Sequence, residues 1–339
     1  MSDKSSIEWT EATWNPLRAR FTDPITGAVR IGWHCEHVSS GCIHCYAEQI
    51  NKGFFQLGTK QPYTRPSRDK VEIFLDEESL QQPLHWKKPR QIFVCSMTDL
   101  FCEWHTDEQI DQVFAVMALC PQHTFQVLTK RAERMHDYFD GARRRIAFRI
   151  VGFQPVRSQA RTQSGLDDTA ALPWPLPNVW LGVSVEDQKN ANERIPWLLK
   201  TPAATRWVSY EPALGPVDFN CIEWLRDKGS DYFDALSRER HPQDDVGLNG
   251  AAVDWIVVGG ESGPGSRPFD VQWARDTIAQ FRAAGVPVFV KQLGGKPFER
   301  PSTLPHITLA FTEIKDKQGG NPDEWPADLR VREFPEVAK

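Results

Sequence analysis

No stretch of this chain approaches the roughly 18 consecutive apolar residues that a membrane-spanning helix needs, so a helical membrane span is excluded. The opening residues, MSDKSSIEWTEATWNP, carry no apolar signal core, and no secretory signal is expected. A dominant charge is missing too. With 40 Lys and Arg against 45 Asp and Glu, the formal charge is -5 and the pI about 6.0, which argues against a protein that coats nucleic acid by bulk electrostatics. A local basic groove stays compatible with that balance. No G-x-G-x-x-G follows the first strand-like run, and no Walker A sequence occurs, so the common nucleotide fingerprints are absent. Cysteine is scarce and odd in number, with seven in 339 residues; without an export signal a disulfide framework is not expected. The expected compartment is the cytoplasm.

What is present is enough for a large core: 40% of residues are hydrophobic, including 13 Trp and 19 Phe. Short apolar runs recur, each followed by a polar turn and a helix-like stretch. The runs lie at 91–99, 124–131, 178–187, 205–212, 253–262 and 286–295, and one more strand is expected before the first cysteine. Between them, DEQIDQVFAVMALC and DVQWARDTIAQFRAAG show helical periodicity, the second closed by Gly285 at the C′ position. Strands apolar on both faces that alternate with helices imply a parallel sheet covered by helices. Six to eight such strands favour an α/β fold of the partial TIM-like β/α barrel kind over an open doubly wound sheet. Residues 1–295 are read as one barrel domain with insertions at about 140–177 and 219–252. Residues 296–339 are read as a polar tail packed on the barrel.

In a β/α barrel the chemistry sits where strands end. Those positions hold Ser96, Thr98 and Asp99; Thr129, Lys130 and Arg131; Ser184 and Glu186; Tyr210 and Glu211; Glu261 and Ser262; Lys291 and Gln292. Polar residues become common wherever a strand gives way to a loop, so solvated strand ends are the competing reading for each. Glu211 stands out because a proline fixes the turn behind it. Glu261 stands out because Gly259 and Gly260 let backbone approach a ligand.

Three of the seven cysteines, Cys35, Cys42 and Cys45, fall within GWHCEHVSSGCIHCYAE at a spacing of C-x6-C-x2-C. Cys95, Cys102, Cys120 and Cys221 stand apart; Cys95 and Cys120 read as small buried hydrophobes. One reading of the cluster is a structural Cys₃His zinc site completed by His34, His37 or His44. Against it, no later C-x2-C or H-x3-H supplies a second half-site. Inert burial is a poor fit for thiols flanked by charged and polar residues. The third reading is a 4Fe–4S cluster held by three thiolates, whose fourth iron stays open to a ligand. Tyr46, directly after the last cysteine, can then pack beside a bound cofactor.

A loop of three clustered cysteines ending C-x2-C-Tyr, ahead of β/α units, resembles the radical S-adenosylmethionine (SAM) superfamily. Its usual spacing is C-x3-C-x2-C, and the first gap here is longer. The C-Y-A portion is similar to that of spore photoproduct lyase. A closer resemblance covers most of the chain. TWNP, SSGCIHCYAE, FVCSMTDLF, FQVLTKRAERM, VWLGVSVED, VSYEPALGPVD, WIVVGGESGPGSRP and VFVKQLGG together resemble a three-Cys-motif family of phage and bacterial genomes without an assigned activity. Members run almost directly from W-N-P into the first cysteine, whereas residues 17–34 intervene here; a short hairpin beside the cysteines is expected.

The superfamily resemblance implies a mechanism. Cys35, Cys42 and Cys45 would hold the cluster, and the open iron would chelate the amino and carboxylate groups of SAM. One-electron reduction would cleave SAM to a 5′-deoxyadenosyl radical that abstracts a substrate hydrogen. Ser96 and Asp99 are the candidates for the SAM amino group; Ser184, Glu186, Glu211 and Glu261 are further cofactor-binding candidates. Lys130, Glu211 and Lys291 are the catalytic candidates, the lysines as cations for a carboxylate or phosphate. The implied partners are a three-Cys-motif partner protein encoded nearby and an electron donor such as flavodoxin or ferredoxin. A nucleotide or nucleic-acid substrate is also implied. Arg143, Arg144, Arg145, Arg149, Arg157 and Arg161 form the one dense basic stretch, to be weighed against a solvated insertion. Trp9, Trp14 and Trp33 could stack a base or seal the bottom of a barrel. The non-enzymatic alternative is a zinc-binding component of a phage or defence two-gene module.

Overall fold

In the computed structural model, residues 5–54, 58–152, 172–226, 229–239, 248, 250–263, 265–300, 309–310 and 314–336 are described. They form two compact units, Met1–Leu181 with Thr201–Ala204, and Gly182–Lys200 with Thr205–Lys339.

The first unit opens with strand β1 (Ala12–Trp14), the strand expected before the cysteines, whose Trp14 is fully buried and donates its indole N–H to the Ser79 carbonyl at 2.7 Å. The expected hairpin is present. Strands β2 (Leu17–Thr22) and β3 (Val29–Gly32) pair antiparallel around a turn in which the Asp23 carboxylate accepts from the backbone N–H of Ile25 and Thr26. The cysteine loop follows, leading into the short helix α1 (Tyr46–Gln49) and then α2 (Arg65–Arg68). Strand β4 (Glu72–Leu75) returns antiparallel to β2, and α3 (Glu77–His85) is capped by Asp76.

Next come β5 (Gln91–Val94), α4 (Asp107–Leu119), β6 (Thr124–Thr129), α5 (Ala132–Tyr138) and α6 (Ala142–Gly152). Strands β1, β5 and β6 run parallel, with Trp14 opposite Val94 and Val94 opposite Val127. Their inner residues are buried on both faces, as parallel strands covered by helices require. Helix α4 starts at a capping box, Thr106 and Gln109 bonding each other's backbone N–H, and buries Ile110, Val113, Phe114 and Met117. Helix α6 packs against α4. The fully buried strand β7 (Val179–Ser184) follows.

The second unit holds α7 (Gln188–Lys200), β8 (Thr205–Tyr210), the antiparallel pair β9 (Ile222–Arg226) and β10 (Gly229–Phe233), and β11 (Trp255–Gly259). It continues with β12 (Phe269–Asp270), α8 (Val271–Ala283), β13 (Val288–Gln292) and β14 (Pro297–Glu299). Strands β8, β11 and β13 are parallel neighbours, and the Trp207 and Trp255 rings of adjacent strands lie 5.5 Å apart. Helix α8 is capped by Asp270 and ends before Gly285, whose φ of 69° is the left-handed conformation expected at C′. Residues 314–336 lie along β13: Val290 N–H donates to the Val331 carbonyl, and Trp325 is buried.

The parallel strands follow the order β1-β5-β6-β7-β8-β11-β13, which is strict chain order. A doubly wound sheet reverses its order at a switch point. Sequential order without reversal is the topology of a partial TIM-like β/α barrel. No helix among the described residues is long and apolar enough to cross a membrane.

Candidate functional site

The cysteine loop is fastened to the end of β5 by side-chain hydrogen bonds from several directions. Tyr46 donates its hydroxyl to the Ser96 carbonyl at 2.6 Å, Tyr63 to the Met97 carbonyl at 2.8 Å, and Thr98 to the His34 carbonyl at 2.6 Å. From β1, Asn15 accepts the Met97 N–H and bonds the Ser96 hydroxyl. The turn itself begins at Cys95, a non-glycine residue at φ 56°, so the chain leaves β5 through a conformation that L-residues rarely adopt. Two of the residues expected to bind a cofactor, Tyr46 and Ser96, are therefore in direct contact beside the thiols.

Within the loop, Cys42 is buried and its sulfur lies 3.8 Å from the Ser39 hydroxyl. Cys35 and Cys45 are half-buried and pack against Trp33, Ala47, Tyr63 and Met97. Cys45 caps α1. Burial pushes its thiol up to about 12, and the neighbouring Cys35 and Cys42 add to that rise; the backbone N–H groups of Glu48 and Ala47 oppose it. Cys35 goes the other way. A hydrogen bond from the Cys102 thiol, helped by the Arg131 guanidinium, outweighs burial and holds Cys35 below the ordinary thiol value. Glu48 anchors the loop from inside, accepting from Tyr63 N–H at 3.0 Å and pairing with Lys52 at 2.8 Å and with the His37 imidazole at 3.1 Å.

Asp99 is placed differently from a ligand-facing carboxylate. Buried at the end of β5, it accepts from the Thr129 hydroxyl at 2.7 Å, Lys130 N–H at 2.9 Å, Phe101 N–H at 3.0 Å and Arg131 Nη1 at 3.2 Å. It clamps the end of β5 to the end of β6. Lys130 supplies its backbone to that clamp, and its half-buried side chain adjoins it.

The remaining candidates belong to the second unit, where they sit in ion pairs. Glu186, fully buried, accepts from Arg194 Nη1 at 3.0 Å, and the same nitrogen bonds the Ser184 carbonyl at 2.7 Å. Glu261 receives Arg267 through its backbone N–H and guanidinium. Lys291 and Glu211 bond each other at 2.5 Å, so two catalytic candidates form one half-buried pair. The room that Gly260 leaves is taken by the chain itself: a Cβ there would meet the Leu293 carbonyl at 2.5 Å and Phe269 at 2.8 Å.

Trp9, Trp14 and Trp33 are all buried, so of their two readings the base-stacking one fails: their faces are spent on core contacts. Within the basic stretch, Arg145 bonds Asp111 and the carbonyls of Tyr138 and Asp140, and Arg143 bonds the Leu172 carbonyl. These two arginines tie α6 down. Arg157 and Arg161 lie outside the described residues.

Sequence reasoning missed Cys102, Glu48 and Tyr63. Cys102 stands 67 residues from Cys35, and only the fold brings its thiol to the first thiol of the loop. The one signal was its place in FVCSMTDLFC, three residues after Asp99.

The family comparison covers nearly the whole of this arrangement: a model of proteins of unknown function (DUF5131) matches residues 4–322. The chain belongs to the DUF5131 family. No curated protein and no solved structure matches it. This DUF5131 chain thus carries its cysteine loop and all the candidate side chains inside the matched region, with residues 1–3 and 323–339 outside it.

The donor set suits a soft, thiolate-bound group. Three thiols occupy one loop, Cys42 buried and Cys35 and Cys45 half-buried. As placed, no three His, Cys, Asp or Glu side chains among the described residues are already gathered at metal-ligand spacing. The fit therefore rests on donor chemistry and position at a strand end.

Proposed function

We propose that this DUF5131 protein is a radical SAM-like enzyme in which Cys35, Cys42 and Cys45 hold a 4Fe–4S cluster. The observation that carries the reading is the fastening of a three-thiol loop, by Tyr46, Tyr63 and Thr98, to the end of β5 in a partial β/α barrel. Strand ends are where such barrels keep their chemistry. When bound, the cluster supplies one-electron reduction that cleaves S-adenosylmethionine, with an electron drawn from a flavodoxin- or ferredoxin-type donor. The chain's own contributions are positional. Cys102 and Arg131 favour the thiolate form of Cys35, Glu48 holds α1 against Tyr63, and the buried Trp33 and Met97 exclude water from one side of the thiols. Ser96 and Tyr46 remain the residues best placed to meet a ligand of the cluster, whereas the carboxylate of Asp99 is committed to its clamp.

A specific observation favours a second reading, structural zinc. His34 is buried beside Cys35, neither ring nitrogen has a hydrogen-bond partner, and burial with nearby Arg68, His105 and Arg131 brings its pKa down to about 4. A neutral imidazole is the form that ligates zinc. Anaerobic reconstitution with iron and sulfide, followed by metal analysis, visible absorption and electron paramagnetic resonance with and without SAM, separates the two. The radical reading expects about four irons and a SAM-dependent change of the resonance signal. One tightly held zinc, with no response to SAM and with Cys42→Ala merely lowering stability, overturns it.

A further inference from the structure

Beside Cys35 the fold collects buried polar groups that make no hydrogen bond, three N–H donors among them, next to the unpartnered imidazole of His34. Nε of Arg68, Nη2 of Arg131 and Nε1 of Trp104 are all buried and unpartnered among the described residues. They belong to one cluster. The guanidinium carbons of Arg68 and Arg131 lie 5.6 and 5.8 Å from the centre of the Trp104 ring, and the His34 ring lies 5.2 Å from it. Buried N–H groups are almost always satisfied in folded proteins, so three orphans around one indole call for an explanation.

The charge balance says what kind of partner is missing. Arg131 is neutralised by Asp99 and Glu103. Arg68 has no carboxylate among the described residues; its one hydrogen bond goes to the Val71 carbonyl at 3.1 Å. Water could satisfy the N–H groups, but it would bring no negative charge to the half-buried cation. A carboxylate or phosphate answers both needs, because its oxygens match the donor fork of a guanidinium. Trp104 lies in the turn before α4 and Arg68 ends α2, both half-buried, so the cluster borders the surface.

We infer that Arg68, Arg131 and Trp104 form an oxyanion site for the carboxylate or phosphate of a small molecule bound beside the cysteine loop. The site does not depend on what the thiols hold. A zinc result would sink the radical reading and leave this inference standing.

Isothermal titration of the full-length protein under anaerobic conditions tests it with paired probes. Adenosine monophosphate is compared with adenosine, methionine with methioninol, and inorganic phosphate and pyrophosphate are titrated alone. The phosphate and carboxylate arms distinguish the two sources of the oxyanion. At least one oxyanion probe is expected to bind about tenfold or more tighter than its counterpart, or, for the inorganic anions, measurably at millimolar concentration. Arg68→Gln and Trp104→Phe should each remove most of that binding. Trp104→Phe keeps the ring and deletes the donor, so with an unchanged melting temperature its effect reports the missing N–H. Arg68→Lys should restore part of the binding lost in Arg68→Gln. Equal binding of each pair with no uptake of the inorganic anions overturns the inference, as does binding that persists in both variants.

Discussion

Replacing Asp99 with asparagine separates a structural carboxylate from a ligand-binding one. Oδ1 of Asp99 serves Thr129 and Phe101, while Oδ2 serves Lys130 N–H and Arg131 Nη1. An asparagine that keeps its oxygen at Oδ1 retains the first two bonds and turns an NH₂ group toward the other two donors. The variant thus loses a charge-assisted bond to Arg131, worth about 1.5–3 kcal/mol, and orphans a buried backbone N–H at a cost of about 1–3 kcal/mol. Side-chain exposures of 8% for Asp99 and 5% for Arg131 leave little water to compensate. The expected loss is about 3–5 kcal/mol, or roughly 10 °C in melting temperature for a unit of this size. Thermal unfolding followed by circular dichroism reads it directly. Thr129→Val, which removes the hydroxyl's bond to the Asp99 carboxylate and leaves Arg131 N–H without its acceptor, should cost about 2–4 kcal/mol. An Asp99→Asn protein that melts within about 2 °C of the parent while losing affinity for SAM would refute the clamp and return Asp99 to the binding site.

Glu186→Gln should lower stability by about 3–5 kcal/mol, because it strips a buried Arg194 of its charge partner; a chemical-denaturation midpoint checks this. Gly182→Ala should cost about 1–3 kcal/mol, since the added Cβ would lie 2.4 Å from Trp207 Nε1, and the penalty should shrink in a Trp207→Leu background. His105 is buried and its pKa is brought down to about 4, first by desolvation. The unfolded chain therefore binds more protons than the folded one between about pH 6.5 and 4, so stability falls as pH drops through that window. At about 1.4 kcal/mol per unit the loss is about 3 kcal/mol. Urea titrations across that range should show the slope, and His105→Gln should reduce it, leaving the share of His34, which is also brought down to about 4.

The strand pattern was legible because parallel strands in a covered sheet must be apolar on both faces. IFV at the centre of β5 and WIVVG of β11 could be little else, and the hairpin of β2 and β3 followed from an insertion with turn residues. The roles of the strand-end polar residues were not legible, for a physical reason. A carboxylate waiting for a ligand and one neutralised by its own chain look alike in sequence. Glu186 meets Arg194 eight residues on in α7, Glu261 meets Arg267 six residues on, and Asp99 meets Arg131 only through the pairing of β5 with β6. Each spacing depends on how a loop turns, which local patterning does not encode.

Those pairings shift the weight of the functional argument. With Glu186, Glu261 and Asp99 occupied, the strand ends supply fewer free acids than the sequence offered, which favours the cysteine loop as the candidate site. The loop is also more than three thiols. Cys102, from outside the loop, and the Arg131 guanidinium together hold the Cys35 thiol below its ordinary value. Hydrogen bonds to a ligating sulfur raise the potential of an iron–sulfur centre. If the thiols hold the proposed cluster, Cys102→Ala should make it harder to reduce while leaving its iron content unchanged. A redox titration followed by electron paramagnetic resonance measures both. Loss of iron in that variant would mean instead that Cys102 ligates, and that the site is closed by a fourth thiolate.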